Sequence, residues 1–249
     1  IITGAAGRIG SSAALELVKN GAKVVLADIS YDNLEKTQIE LLEFTDKSNI
    51  FICLTDITSE SDIDNLIYKS KEKFNKITAA IQCAYPRSEQ WGSNYEDLSF
   101  ALLSRDLSSQ LGGSIIFSQK ILNYFVETGG GHLIHISSIQ GVNAPKFEHY
   151  RDTNMTSPLE YSAIKAGIIS ITKWLAKYHQ NQNIRVNCIS PGGIFDDQPD
   201  SFVKKYRKSC SNIGLLDAKE ISNSIKFLLS SNSKAINGQN IIIDDGWSL

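Results

Sequence analysis

Seven short runs of β-branched and other apolar residues, at 1–3, 23–27, 50–54, 79–83, 132–137, 184–189 and 240–244, alternate with longer stretches of helical periodicity. A chain written this way has few options. Strands that read as near-continuous apolar runs are covered on both faces, and the stretches between them supply the crossovers that parallel neighbours need. The pattern predicts an α/β fold: one Rossmann-like doubly wound domain over residues 1–249, its seven-stranded parallel sheet flanked by helices on both faces. No internal repeat, low-complexity tract or Pro/Gly/Ser-rich linker divides it. Helix ends are readable too. Asn20-Gly21 closes the first helix, while Ser157-Pro158-Leu159-Glu160 and Asp217-Ala218-Lys219-Glu220 each read as a capping box opening one.

Composition enters through what it excludes. Lys and Arg number 25 against 27 Asp and Glu, a formal net charge of −2, so no field of one sign draws in nucleic acid or an anionic membrane. No apolar run approaches the roughly 20 residues of a membrane span. The opening Ile1-Ile2-Thr3-Gly4 reads as the inside of a strand with a few earlier residues missing, and not as a signal peptide. Cys53, Cys83, Cys188 and Cys210 are far apart and form no CxxC pair, which points away from zinc and disulfides and towards a reducing cytoplasm. His132 and His135, three apart on a strand, point to opposite faces and indicate no metal site. The expected partner is a small-molecule substrate.

Directly after the first strand stands Thr3-Gly4-Ala5-Ala6-Gly7-Arg8-Ile9-Gly10, leading into a helix. Gly4, Gly7 and Gly10 there permit a tight turn, close approach of backbone to a pyrophosphate, and packing of helix on strand. The second strand ends at Asp28, 18 residues past Gly10, near the offset at which a carboxylate accepts the ribose hydroxyls of NAD and repels a 2′-phosphate. An ordinary capping Asp in Asp28-Ile29-Ser30 is the bland alternative. Arg8 leaves NADP open, since a guanidinium beside the adenosine welcomes that phosphate. Further on, Tyr161 and Lys165 stand four apart on one helix and share a face. A neighbouring ammonium favours the ionised phenol, so this pairing predicts a lowered tyrosine pKa and a general acid/base.

That helix follows Ile136-Ser137-Ser138-Ile139-Gln140-Gly141 and precedes Arg185-Val186-Asn187-Cys188-Ile189-Ser190-Pro191-Gly192-Gly193. Asp56-Ile57-Thr58 comes after the third strand, and Asn237-Gly238-Gln239 through Asp244-Asp245-Gly246 close the chain. With these motifs in this order, the sequence resembles the short-chain dehydrogenase/reductase family over essentially its whole length. The resemblance implies that Ser138 hydrogen-bonds the reacting oxygen, Tyr161 exchanges its proton, and Lys165 holds the nicotinamide ribose and tunes Tyr161. It implies that Asp56 contacts the adenine, that Ile57 and Ala84 border the cofactor, and that backbone at Pro191, Gly192 and Ile194 meets the carboxamide. Gln110 falls where the family has an asparagine supporting a proton-relay water. Tyr150 sits nearer the family's usual distance from Ser138, but four residues on it has Asn154, which carries no charge to stabilise a phenolate. Tyr161 is therefore the expected acid/base, and residues 142–158 become a long insertion placed to cover the substrate.

Three departures qualify the resemblance. Arg8 replaces a common glycine; Gln82-Cys83-Ala84-Tyr85 replaces Asn-Asn-Ala-Gly, which puts Tyr85 at the pocket floor; and Gln110 is one methylene too long. Those oddities, with Ala144-Pro145-Lys146-Phe147-Glu148 and Asn154-Met155-Thr156, resemble the flagellin modification protein A subgroup, whose members act in bacterial sugar pathways supplying nonulosonic (legionaminic-type) acids for surface glycosylation. The implied activity is hydride transfer between NAD(H) and a secondary alcohol or ketone of a sugar or sugar phosphate. Arg87, Lys146, His149 and Arg151, in loops expected at the strand carboxyl ends, are the candidate phosphate ligands. A nucleotide-sugar epimerase or dehydratase retaining its NAD is one alternative, raised by the Thr-Gly-x-x-Gly-x-x-Gly spacing; a non-catalytic dinucleotide-binding protein is the other. By resemblance the helices around 107–125 and 161–177 make a homodimer or homotetramer, and 201–211 form a flap over the substrate.

Overall fold

The computed structural model describes residues 1–249. All seven expected strands are present: β1 (Ile2–Thr3), β2 (Val24–Asp28), β3 (Ile50–Leu54), β4 (Ala79–Gln82), β5 (Gly131–Ile136), β6 (Ile184–Pro191) and β7 (Asn240–Ile243). They form one parallel sheet in the order β3-β2-β1-β4-β5-β6-β7, a Rossmann-like arrangement. Helices α1 (Arg8–Lys19), α2 (Tyr31–Leu41), α3 (Glu60–Phe74), α4 (Phe100–Asp106), α5 (Gly113–Thr128), α6 (Leu159–Tyr178), α7 (Asp200–Lys208) and α8 (Ala218–Leu229) fill the connections. None is long and apolar enough to cross a membrane.

Alternation along each strand builds two cores. Val24 and Leu26 of β2 join Ile134 and Ile136 of β5 beneath α1, α2 and α8, with Ala13, Leu34 and Ile221. Val25 and Ala27, with Leu133 and Val186, face α3 and α5 through Ile63, Leu66, Phe117 and Ile121. Because successive side chains point to opposite faces, a sheet covered on both sides needs apolar residues at every position. The near-continuous apolar runs in the sequence are the written form of that requirement.

Two helix starts differ from expectation. Pro158 occupies the N-cap of α6, so Ser157 lies one residue outside and its hydroxyl donates to Gln140 Oε1 at 2.8 Å instead of capping. At α8, Asp217 does cap, accepting from Lys219 N at 2.8 Å, but Glu220 does not reach back and its Oε2 lacks a partner. Ser59 and Ser99 are caps that sequence reading passed over. The stretch expected as one helix around 107–125 begins as a π-helical segment, Leu107–Gly112, between α4 and α5.

Arg185 locks the C-terminal end of the sheet to α8. From β6 its guanidinium donates to the carbonyls of Leu228 (2.7 Å), Ser233 (3.0 Å) and Ile236 (3.3 Å), with burial pushing its pKa down. The cation thus sits on the orphan carbonyls and negative dipole end of a helix, without a carboxylate. Replacing it by Met removes the charged donor from carbonyls that keep only a neutral one (Ser233 Oγ on Leu228, Ile236 N on Ser233, Asn187 Nδ2 on Ile236), and a hydrogen bond to a charged group is worth about 1.5–3 kcal/mol. Arg185→Met is expected to lower unfolding free energy by about 3 kcal/mol in urea titration; a loss below about 0.5 kcal/mol contradicts this role for the cation.

Candidate active site

The strand order reverses beside β1: β2 and β3 lie on one side and β4 on the other, which opens a crevice at the strands' carboxyl ends. Two cavities of about 460 and 470 Å³ meet there, sharing Gly4, Gly7, Cys83 and Tyr85 as walls. The turn between β1 and α1 is forced to approach β4 closely. Gly4 has φ +64°, and a Cβ on it would stand 2.7 Å from the Ala84 nitrogen. At Gly10 a Cβ would overlap the Gly4 carbonyl. Helix α1 starts at this turn with no side-chain cap and no acidic residue in its first turn, so its free N–H groups and positive dipole end are left for an anion.

Every residue assigned from the sequence to cofactor contact lines one of the two cavities. Asp28, Asp56, Ile57 and Ala84 border one, with Asn33, Thr55 and Ile29. Arg8, Ile9, Gly10, Pro191, Gly192, Ile194, Tyr161 and Lys165 border the other. The Asp28 carboxylate is oriented by two backbone donors, Ala6 N at 3.1 Å and Ser30 N at 3.2 Å, and Ser30 is the N-cap residue of α2. It therefore serves the glycine-rich turn, not a helix end. Arg8 departs from expectation: it pairs with Asp196 across the mouth of the other cavity and does not border the Asp28 side. The sequence argument for NADP loses its cation. A narrow crevice with an uncapped helix start midway and a carboxylate at one end fits a dinucleotide.

At the opposite end, Ser138, Tyr161 and Lys165 line one cavity. Reciprocal contacts fix α6 against the end of β5: Ser137 Oγ donates to the Lys165 carbonyl at 2.7 Å, and Lys165 Nζ donates to the Ile136 carbonyl at 3.1 Å. The ammonium lies 5.5 Å from the Tyr161 ring centre and 5.1 Å from that of Tyr85. Here a sequence expectation fails. Burial pushes the Tyr161 phenol up, and the Ser138 hydroxyl beside it only partly opposes that. The reason is physical: Lys165 is itself buried and turned to a carbonyl, and a phenolate in an apolar pocket loses its hydration.

Trp91, Phe202, Tyr206 and Trp247 were not foreseen. Tyr85, Trp91 and Tyr161 pack edge to face at 5.4–6.1 Å. Phe202 and Tyr206 of α7, four apart on one face, join Trp247, Tyr150, Met155 and His149 in closing the cavity. The helical spacing of Phe202 and Tyr206 was the available signal. Residues of the 142–158 insertion thus form part of the wall. Gln110 does not reach the cavity; it is buried in the π-helical segment, and neither end of its amide has a partner. The four cations proposed for phosphate do not converge. Arg87 borders the Asp28 cavity, Lys146 donates to the Trp247 carbonyl at 2.9 Å, Arg151 is exposed, and His149 lies 2.9 Å from Ser209 Oγ with its pKa lowered by burial.

A family model described as enoyl-(acyl carrier protein) reductase matches residues 4–248. The chain belongs to the short-chain dehydrogenase/reductase family. It is 41% identical over 249 residues to post-translational flagellin modification protein A of Campylobacter coli, covering 100% of this chain and 97% of that one. It is also 28% identical to the 7α-hydroxysteroid dehydrogenase of Bacteroides fragilis, over 100% and 93% of the two chains. Among solved structures, a short-chain dehydrogenase of Leptospira borgpetersenii with bound NAD+ superposes with a TM-score of 0.84 at 30% identity, over 100% of this chain and 91% of that chain.

For a short-chain dehydrogenase/reductase the notable electrostatic feature is Lys165, whose ammonium burial pushes from an ordinary 10.5 down to about 8. The folded chain holds this proton less tightly than the unfolded chain. Below about pH 8 the buried charge therefore opposes folding in full, by on the order of 3 kcal/mol. That opposition fades as pH rises from about 8 towards 10.5, where the group is neutral in both states. Lys165→Met is expected to raise the cofactor-free enzyme's melting temperature at pH 7, with a smaller gain over wild type at pH 9.5. A destabilised variant, or a gain independent of pH, contradicts this.

Proposed function

We propose that this oxidoreductase transfers hydride between NAD(H) and a secondary alcohol or ketone of a sugar-type substrate, in the building of a bacterial surface glycan such as modified flagellin. The observation that carries the reading is the gathering of Ser138, Tyr161 and Lys165 on one cavity wall, continuous with the uncapped start of α1 and the Asp28 carboxylate. Similarity to the Campylobacter coli flagellin modification protein supports the pathway, and the NAD+-bound Leptospira neighbour supports the cofactor. Asp28 favours NAD, because a carboxylate there opposes a 2′-phosphate. The four free cysteines, far apart and without a CxxC pair, accord with a reducing, cytoplasmic setting. The exposed, stacked Trp174 and Tyr178 on α6 accord with an oligomer built on that helix.

When bound, the nicotinamide supplies the hydride acceptor or donor. In the oxidative direction Tyr161, as phenolate, takes the hydroxyl proton, and Ser138 donates to the reacting oxygen throughout. Lys165, beside the phenol, would hold the nicotinamide ribose of the bound dinucleotide and would supply positive charge that offsets the burial otherwise holding Tyr161 protonated. Gln110, buried behind the cavity with both amide ends free, is the residue that would hold a proton-relay water, as the family resemblance implies.

A panel of phosphorylated and nucleotide-linked sugars, followed by nicotinamide absorbance, identifies substrate and direction. Stoichiometric release of free NADH marks a dehydrogenase; retention and recycling of the nucleotide marks an epimerase. Tyr161→Phe should bind NADH within about threefold of wild type while kcat falls by about 10²- to 10⁴-fold. Retention of most activity would assign the proton transfer elsewhere. Gln110→Leu removes an unpaired buried amide, so it should melt at or above the wild-type temperature while turning over at least tenfold more slowly. Unchanged turnover in that variant dismisses the water-holding role.

A further inference from the structure

Gln140, two residues past Ser138, aims two hydroxyl groups at once. Its backbone N–H donates to Ser138 Oγ at 3.2 Å, and its side-chain Nε2 donates to Tyr150 Oη at 3.0 Å. At its other end the amide oxygen Oε1 accepts from Ser157 Oγ at 2.8 Å. In this orientation Gln140 occupies one lone pair on each hydroxyl oxygen, and each hydroxyl keeps a proton that it can donate. The Ser157 hydroxyl is the other polar group beside the Tyr150 oxygen, and the Tyr150 ring is wedged edge-on against Phe202 at 5.3 Å. Burial pushes the Tyr150 phenol up, so it stays a donor at neutral pH. Trp247 lines the same cavity, and its indole N–H also finds no acceptor in the chain.

The Tyr150 phenol and the Ser138 hydroxyl, both set by Gln140 on the wall of one cavity, suit a ligand that brings more than one oxygen. We infer that Tyr150 is a specificity-determining residue that donates its phenolic proton to a second oxygen of the substrate, selecting polyhydroxylated substrates over those bearing a lone carbonyl. The inference rests on the hydride-transfer reading and deepens it: Ser138 and Tyr161 serve the reacting oxygen, and Tyr150 holds a neighbouring one. Gln140 acts as a positioning residue, coupling the two donors through one planar amide. A site built to hydrogen-bond a substrate hydroxyl discriminates strongly against the analogue without it, because its own group is then buried unpaired.

The test uses NADH-loaded enzyme and two probe ketones, 2-hydroxycyclohexanone and cyclohexanone. Wild type should favour the hydroxylated ketone at least tenfold in kcat/KM. Tyr150→Phe should bring that ratio to about one, chiefly through a higher KM for the hydroxylated ketone, with NADH affinity held within about threefold as evidence of folding. Gln140→Leu should lower the ratio in the same direction. A wild-type ratio near one, or a ratio that Tyr150→Phe leaves unchanged, overturns the inference while leaving hydride transfer standing. Equal losses on both ketones in Tyr150→Phe also overturn it, since they put the residue in the chemistry or the scaffold. If Tyr161→Phe still reduces the ketones as fast as wild type, the underlying reading fails instead.

Discussion

An ammonium with no carboxylate beside it, buried at the carboxyl end of a parallel sheet, is the constraint around which this site is organised. Lys165 is held by one carbonyl, that of Ile136, and by the faces of Tyr85 and Tyr161. In a folded chain such a charge is retained at a cost of several kcal/mol unless something compensates it. The surrounding structure is arranged accordingly: Ser137 fastens the Lys165 backbone, and Gly141 lets its loop pass so close that a Cβ would stand 2.6 Å from the Lys165 carbonyl carbon. His135, directly below, is pushed down to about 4 and adds no competing charge. The charge is thus left poorly solvated.

The same arrangement accounts for the tyrosine. In the cofactor-free chain burial wins over every favourable neighbour, and the Tyr161 phenol titrates above its usual range. The proton-transfer group is therefore not preactivated. In the proposed mechanism its activation would come from Lys165 turning from Ile136 towards a bound ribose, which would tie proton transfer to the presence of the dinucleotide. The Asp28 carboxylate at one end of the crevice, Lys165 at the other and the start of α1 between them support the proposed reading, in which the two riboses of a dinucleotide are the groups recognised.

How far this was legible in the sequence follows from what each signal encodes. Strand positions came through because a doubly covered sheet demands apolar residues at every position, and the Tyr161–Lys165 spacing maps directly onto one helix face. Contacts made across the chain were invisible. Arg8 read as a candidate adenosine ligand because nothing local shows that Asp196, nearly 190 residues on, takes it. The lowered tyrosine pKa was inferred from proximity alone, and proximity says nothing about burial, which decides the sign. Ser157 looked like a cap until Pro158 proved to fill that place and Gln140 to claim the hydroxyl. Tyr150, dismissed as the proton-transfer group for want of a lysine, lines the same cavity as Tyr161, brought there by an insertion whose path no periodicity describes.

A crystal structure of the enzyme with NAD+ tests the central claim most directly. The account predicts adenosine ribose hydroxyls on the Asp28 carboxylate, pyrophosphate over the first turn of α1, and Lys165 Nζ shifted from the Ile136 carbonyl onto the nicotinamide ribose, with Tyr161 Oη facing the nicotinamide C4. Lys165 still bonded to Ile136 or directed to solvent, with Tyr161 turned from the ring, would contradict it.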